Sequence, residues 1–173
     1  MAVTDLSSVP ATPHDIIQLY GLWVQSGAIV VAAVGVIATI LWSKRIACRR
    51  ATLDIVLSEE TDPSTIEQRT EFVKLRDAGH LSQWASPDKT HSDNSAILRS
   101  VLNRYELVAI GIDKGIIDEK SYKKWCRSTL VKDWIECKAF VMQIRHNASV
   151  PTFYCEFETL AKRWSNKEER QHV

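Results

Sequence analysis

Three small groups of side chains carry the residue types that could do chemistry. Arg76 and His80 stand four apart, and Arg145 and His146 are adjacent. A guanidinium beside an imidazole can hold a phosphate and move a proton, and such work needs the imidazole within hydrogen-bond reach. Gly79 interrupts the first pair, and Val150 stands where a His one turn beyond Arg145-His146-Asn147 would be required. An Arg and a His near a helix end also serve simply as cations against the C-terminal dipole. That plainer reading is preferred, so no catalytic residue is assigned. Arg76, His80, Arg145 and His146 stand as the alternative set. The third group is Asn103 and Glu106 in the segment NRYE, one helical turn apart. Glu106 lies beside an apolar stripe, between Leu102 and Ile110. A carboxylate there needs a cationic or hydrogen-bonding partner, because burying it alone is costly; Arg127 or Arg145 could supply one. Asn103 and Glu106 are thus the candidate binding residues, against the preferred reading of a structural buried pair.

Other chemistry is excluded by pattern. The chain has no Gly-rich phosphate loop, no G-x-S-x-G and no H-E-x-x-H. Cys48, Cys126, Cys137 and Cys155 include no C-x-x-C pair. Cys126 and Cys137 are 11 apart, too far to share an ion on one helix, and His80 and His91 flank a loop with no nearby Cys. No metal and no cofactor is expected. The four Cys read as reduced thiols, three of them as small core residues, which fits a cytosolic domain.

The elements that must position these residues are all helical. Asp62 reads as an N-cap and Pro63 as the first residue of a helix that ends at Gly79. HLSQWASPDKTHS follows as a mobile loop. Ser92 or Asp93 caps a helix from Asn94 to about Lys114, with Ile97, Val101, Tyr105, Val108 and Ile112 as its stripe and Leu98, Leu102 and Ala109 widening it. Gly115 stops it, and Ile116 and Ile117 become buried connectors. Asp118 caps a long helix to about His146. Its core face is Tyr122, Trp125, Cys126, Leu130, Trp134, Cys137, Val141 and Ile144, with Asp133, Glu136 and several Lys on a solvated outer face. Pro151 opens a last helix carrying Phe153, Phe157, Leu160 and Trp164, before a polar tail.

Ahead of all this stands Ile16 to Ser43, 28 residues without a charged side chain. About 20 apolar residues cross a bilayer core, so this stretch is read as a transmembrane helix. Tyr20 and Trp23 near one end and Trp42 at the other suit the two headgroup regions. Lys44, Arg45, Arg49 and Arg50 follow directly, whereas no Lys or Arg precedes the stretch. Positive charge stays on the cytoplasmic side, which puts the N-terminus outside and the C-terminal domain inside. Ala28, Ala32, Gly35 and Thr39 form one small-residue stripe, suited to close approach of a second helix. With no ionisable group in the span, conduction is not its role.

The segment LNRYELVAIGIDKGIIDEKSYKKW, residues 102–125, resembles a bacterial membrane-anchored family, the domain of unknown function 4760 type. The features that carry the resemblance are Asn103 and Glu106 as N-x-x-E and the turn Gly115-Ile116-Ile117-Asp118-Glu119. The resemblance extends from about Arg50 to Trp164. It implies a membrane helix joined to a helical domain in a bacterial protein, and it transfers no activity. The Arg and His pairs also invite comparison with the helical-bundle ribonucleases, whose Arg, polar residue and His spacing they do not reproduce.

The expectation is therefore an all-α chain: a leader at 1–15, a transmembrane helix at 16–43, a basic juxtamembrane segment and linker helix at 44–61, a cytosolic antiparallel bundle of about four helices at 62–165, and a polar tail at 166–173. Residues 44–173 carry four of their basic groups in Lys44–Arg50, and the rest of the domain is near neutral. That argues against nucleic acid as a partner. The expected partners are the lipid bilayer, a second copy of the chain and a cytosolic protein. The expected role is an interaction, sensor or effector module at the cytoplasmic membrane; the alternative is a membrane-tethered nuclease in phage defence.

Overall fold

The computed structural model describes the backbone of residues 13–173 and the side chains of residues 23–173. Residues 1–12 of the expected leader and the Tyr20 side chain lie outside the described residues. Among those described there is no strand, and five α-helices account for most of the chain. They are α1 (Pro13–Thr61), α2 (Pro63–Ala78), α3 (Asp93–Asp113), α4 (Glu119–Ala148) and α5 (Cys155–Trp164). Two compact units divide the chain between Arg45 and Ile46.

In the first unit α1 is apolar and unburied. Val24, Val31 and Trp42 are 72%, 73% and 67% exposed. The helix does not stop at the basic cluster. It continues to Thr61 without a break, so the apolar stretch and the linker are one element.

The second unit is a helical bundle whose starts and stops follow local chemistry. Asp62 caps α2 by accepting from the Thr65 amide at 3.3 Å and the Thr65 hydroxyl at 2.7 Å. Ser92 caps α3 through the Ser95 amide. α2 and α5 each pack on both α3 and α4. The shared core includes Phe72, Leu98, Leu102, Tyr122, Leu130, Trp134, Phe140, Phe157 and Leu160. The end of α1 joins the bundle through Thr52, which is buried and whose hydroxyl accepts from the Asp118 amide at 2.8 Å.

Several expectations change. The segment after Gly79 is not a loose loop: it forms two 3-10 turns, Leu81–Ala85 and Pro87–Lys89, with Leu81 and Ala85 buried against the core. The amide of Asn147 donates to the Ala85 carbonyl at 2.7 Å, which fixes that segment to α4. Ile116 is exposed and only Ile117 is buried. Gly115 turns the chain at φ +65°, and Ile117 then lies over Gly111, where an added Cβ would come within 2.6 Å of its Cδ1. Trp125 sits at the edge of the α4 core stripe and stays 41% exposed. Pro151 does not open α5. Tyr154 adopts a left-handed conformation at φ 58°, and the helix begins one residue later. Of the four free Cys, only Cys126 and Cys137 are buried, so two rather than three belong to the core. The polar tail is held on the domain by a 2.6 Å ion pair between Arg127 and Glu169.

Candidate functional site

The largest departure from the sequence reading is Asp133. It is fully buried at 0% exposure, not on a solvated face. Its Oδ1 accepts from Arg76 Nη1 at 2.8 Å. Its Oδ2 lies 2.7 Å from Arg69 Nη2 and accepts from the Tyr105 hydroxyl at 2.7 Å. Arg69 also donates to the Tyr105 oxygen at 3.1 Å and stacks over the rings of Phe72 and Tyr105. One carboxylate therefore ties α2, α3 and α4 together. Tyr105 stacks on Phe157 of α5 at 4.7 Å between ring centroids, and Trp134 meets Phe157 edge-on, so the network is embedded in aromatic core. Burial and the neighbouring Asp133 charge hold the Tyr105 phenol well above its ordinary pKa. It remains a hydrogen-bond donor throughout the physiological range.

The spacing contained this signal. Asp133 is three after Leu130 and four before Cys137, a core position. Arg69 and Arg76 are three before and four after Phe72. A helix places residues three and four apart on one face. Charge type masked position.

Glu106 also has a clear role. Its Oε1 and Oε2 accept the backbone N–H groups of Glu156 and Phe157 at 3.2 and 2.7 Å. Those are among the first amides of α5, whose own N-cap residue Tyr154 offers no side-chain bond. A helix N-terminus leaves its first amides unpaired and carries partial positive charge. Glu106 thus caps α5 from a different helix. Neither expected cation is its partner. Arg127 donates to the Trp164 carbonyl and to Glu169, and Arg145 to the Phe153 carbonyl while pairing with Glu158 at 2.8 Å. Asn103 is exposed. It lines a shallow depression of about 300 Å³ with Arg99, Glu106 and Tyr154.

The alternative catalytic pairs are not assembled. Arg76 is held by Asp133 and Asp77. His80 is exposed at the left-handed residue that precedes the first 3-10 turn. His146 is exposed near the end of α4. No hydrogen bond among the described residues joins either His to its Arg. Burial pushes the Cys126 thiol up to about 12, and it raises Cys137 as well, so neither is a thiolate nucleophile at neutral pH. No group of three or more His, Cys, Asp or Glu among the described residues is arranged to hold a metal ion.

Of the residues placed at the membrane interface, Trp23, Trp42, Lys44, Arg45, Arg49 and Arg50 are all exposed. So are Ala28, Ala32, Gly35 and Thr39. The Thr39 hydroxyl donates to the Gly35 carbonyl at 2.8 Å, which satisfies it within its own helix.

A second cavity, of about 250 Å³, opens among the last turn of α1 and helices α2, α3 and α4. It was not foreseen, because its walls come from four separate segments. Glu59, Glu60, Arg69, Arg104 and Trp125 line it, with Tyr105 of the buried network.

Fold and site together define an all-α chain with a long apolar helix and a bundle tied by internal ion pairs. The chain belongs to the family described as domain of unknown function (DUF4760), whose model matches residues 23–164. The match begins within the apolar stretch and ends with α5, so it takes in helix and bundle together. No curated protein and no solved structure matches the chain.

Proposed function

We propose that this protein is a single-pass membrane protein whose helical domain acts at the cytoplasmic face as an interaction, sensor or effector module. The observation that carries the reading is the state of α1. It is long and apolar enough to cross a membrane, and none of its most apolar stretch is buried. Apolar patches beyond a few hundred Å² on soluble monomers mark interaction or membrane sites. The bilayer is the partner that satisfies a helix apolar on every side.

The orientation follows from charge. Lys44, Arg45, Arg49 and Arg50 stand on the domain side of the span, which favours an outside N-terminus and a cytoplasmic domain. The stripe Ala28, Ala32, Gly35 and Thr39 supports pairing of two copies in lipid, since small residues let helix backbones approach. Trp23 and Trp42 are 19 residues apart, about 28 Å of helix, which matches the hydrocarbon thickness.

The role of the domain follows from where its charges go. Asp133, Arg76, Glu106 and Arg145 are all engaged in structural bonds. That supports a scaffold that binds rather than one that turns over substrate. Alkaline carbonate extraction of membranes tests the anchor. The full chain stays in the membrane fraction; release to the supernatant would overturn the reading.

A further inference from the structure

The 250 Å³ cavity at the end of α1 has walls of both charge signs, and its two carboxylates have no partner among the described residues. Glu59 is half-buried in the last turn of α1, and Glu60 follows it. Among the described residues no hydrogen bond or ion pair engages either carboxylate. Burial raises the Glu59 carboxyl above its ordinary range, against the pull of the Arg104 and Arg69 charges. Glu59 shares the cavity wall with both cations, yet neither pairs with it among the described residues. Among the described residues Arg104 makes one hydrogen bond, a 3.5 Å contact from Nη2 to the Thr65 hydroxyl. Arg69 is a fixed cation at the inner wall, held by Asp133 and Tyr105. Trp125 stands at the cavity with 41% of its surface exposed, and its ring meets Tyr122 edge-on.

A simple anion is disfavoured here by Glu59 and Glu60, and a simple cation by Arg69 and Arg104. A molecule carrying both charges a few bonds apart satisfies both walls. The volume lies just below the roughly 300–1,000 Å³ of typical ligand pockets, which sets the size of the occupant at a metabolite. A large exposed indole adds an apolar surface and, for a nearby ammonium, a cation–π face.

We propose that this cavity binds a small zwitterion of the free α-amino-acid class. Its ammonium faces Glu59 and Glu60, its carboxylate faces Arg104 and Arg69, and its apolar side chain lies on Trp125. Binding links the last turn of α1 to α3, because the two carboxylates belong to one and Arg104 to the other. The assignment does not rest on the membrane reading, since every residue of the cavity lies within 46–173.

The test is calorimetric titration of the full chain in detergent with L-leucine and with L-phenylalanine. Isoamylamine and 3-phenylpropionate serve as single-charge analogues. At least one amino acid binds saturably, and the analogues bind about tenfold more weakly or worse. Glu59→Gln and Arg104→Gln each weaken that binding by about tenfold or more while the circular dichroism spectrum is unchanged. Absence of saturable heat with both amino acids overturns the proposal. So does equal affinity for a single-charge analogue, or unchanged affinity in both variants.

Discussion

Arg76 reaches across from α2 to place its Nη1 2.8 Å from Oδ1 of Asp133 on α4, with the carboxylate wholly buried and the Arg76 side chain only 10% exposed. Removing one member of such a pair strands the other charge in a low-dielectric site, which costs about 3–5 kcal/mol. Asp133→Ala removes the buried acceptor shared by two guanidiniums and a phenol, leaving Arg76 only Asp77. Chemical denaturation of the full chain in detergent is expected to show a loss of that size. The exposed pair of Lys74 and Glu71, at a similar 2.7 Å, provides the contrast: Glu71→Ala is expected to cost about 0.5 kcal/mol or less.

Glu106 acts on a helix it does not belong to. Glu106→Ala should cost about 1–2 kcal/mol, the range for loss of an N-cap. The effect should also be local. Hydrogen exchange at the Glu156 and Phe157 amides is expected to accelerate before exchange in α3 does. Unchanged protection at those two amides would mean that the carboxylate is not their acceptor.

Glu59 makes a distinct contribution to the pH dependence of stability, opposite in sign to that of Asp62 and Glu158, whose carboxyls are lowered by their hydrogen-bond partners. The Glu59 carboxyl is raised in the folded state, chiefly by burial, so the folded chain binds a proton there more readily than the unfolded chain. The Glu59 contribution to stability then falls as pH rises through the region just above the ordinary carboxylate range, and stays lowered at neutral pH. Glu59→Gln removes the ionisable group. The variant should melt higher than the parent at pH 7, and the difference should shrink as the pH is taken down to 4. A difference that is constant across that range would contradict the assignment.

The Arg and His pairs give a negative prediction. His80 and His146 are exposed and unbonded to Arg76 and Arg145. His80→Ala and His146→Ala should leave stability within about 0.5 kcal/mol of the parent. Neither substitution should alter any phosphodiester cleavage measured with the purified full chain. Loss of a cleavage activity in either variant would restore the nuclease reading.

The sequence was most legible where local chemistry decides structure. Asp62-Pro63, Ser92 and Gly79 mark helix ends that the structure reproduces, because a cap or a left-handed residue acts within a few positions of itself. The core stripe of α3 was equally visible from its period. What escaped was what depends on partners far along the chain. Asp133 could be recognised as buried only with Arg69, Arg76 and Tyr105 placed around it. Glu106 was rightly singled out as a carboxylate in need of a partner, but the partner is a backbone terminus created 50 residues later. Ile116 and Ile117 look alike in sequence, and only the turn at Gly115 decides which one enters the core. The cavity beside Trp125 draws on four helices, so no single stretch announces it.

The central claim is that α1 anchors the domain at the inner face of a membrane. It is tested most directly by two fusions after Val173, expressed in a bacterial host: a fluorescent protein that matures only in the cytoplasm, and an alkaline phosphatase active only in the periplasm. The account predicts a bright, membrane-localised fluorescent fusion and an inactive phosphatase fusion. An active phosphatase with a dark fluorescent fusion would reverse the orientation, and fluorescence spread evenly through the cytosol would contradict the anchor itself.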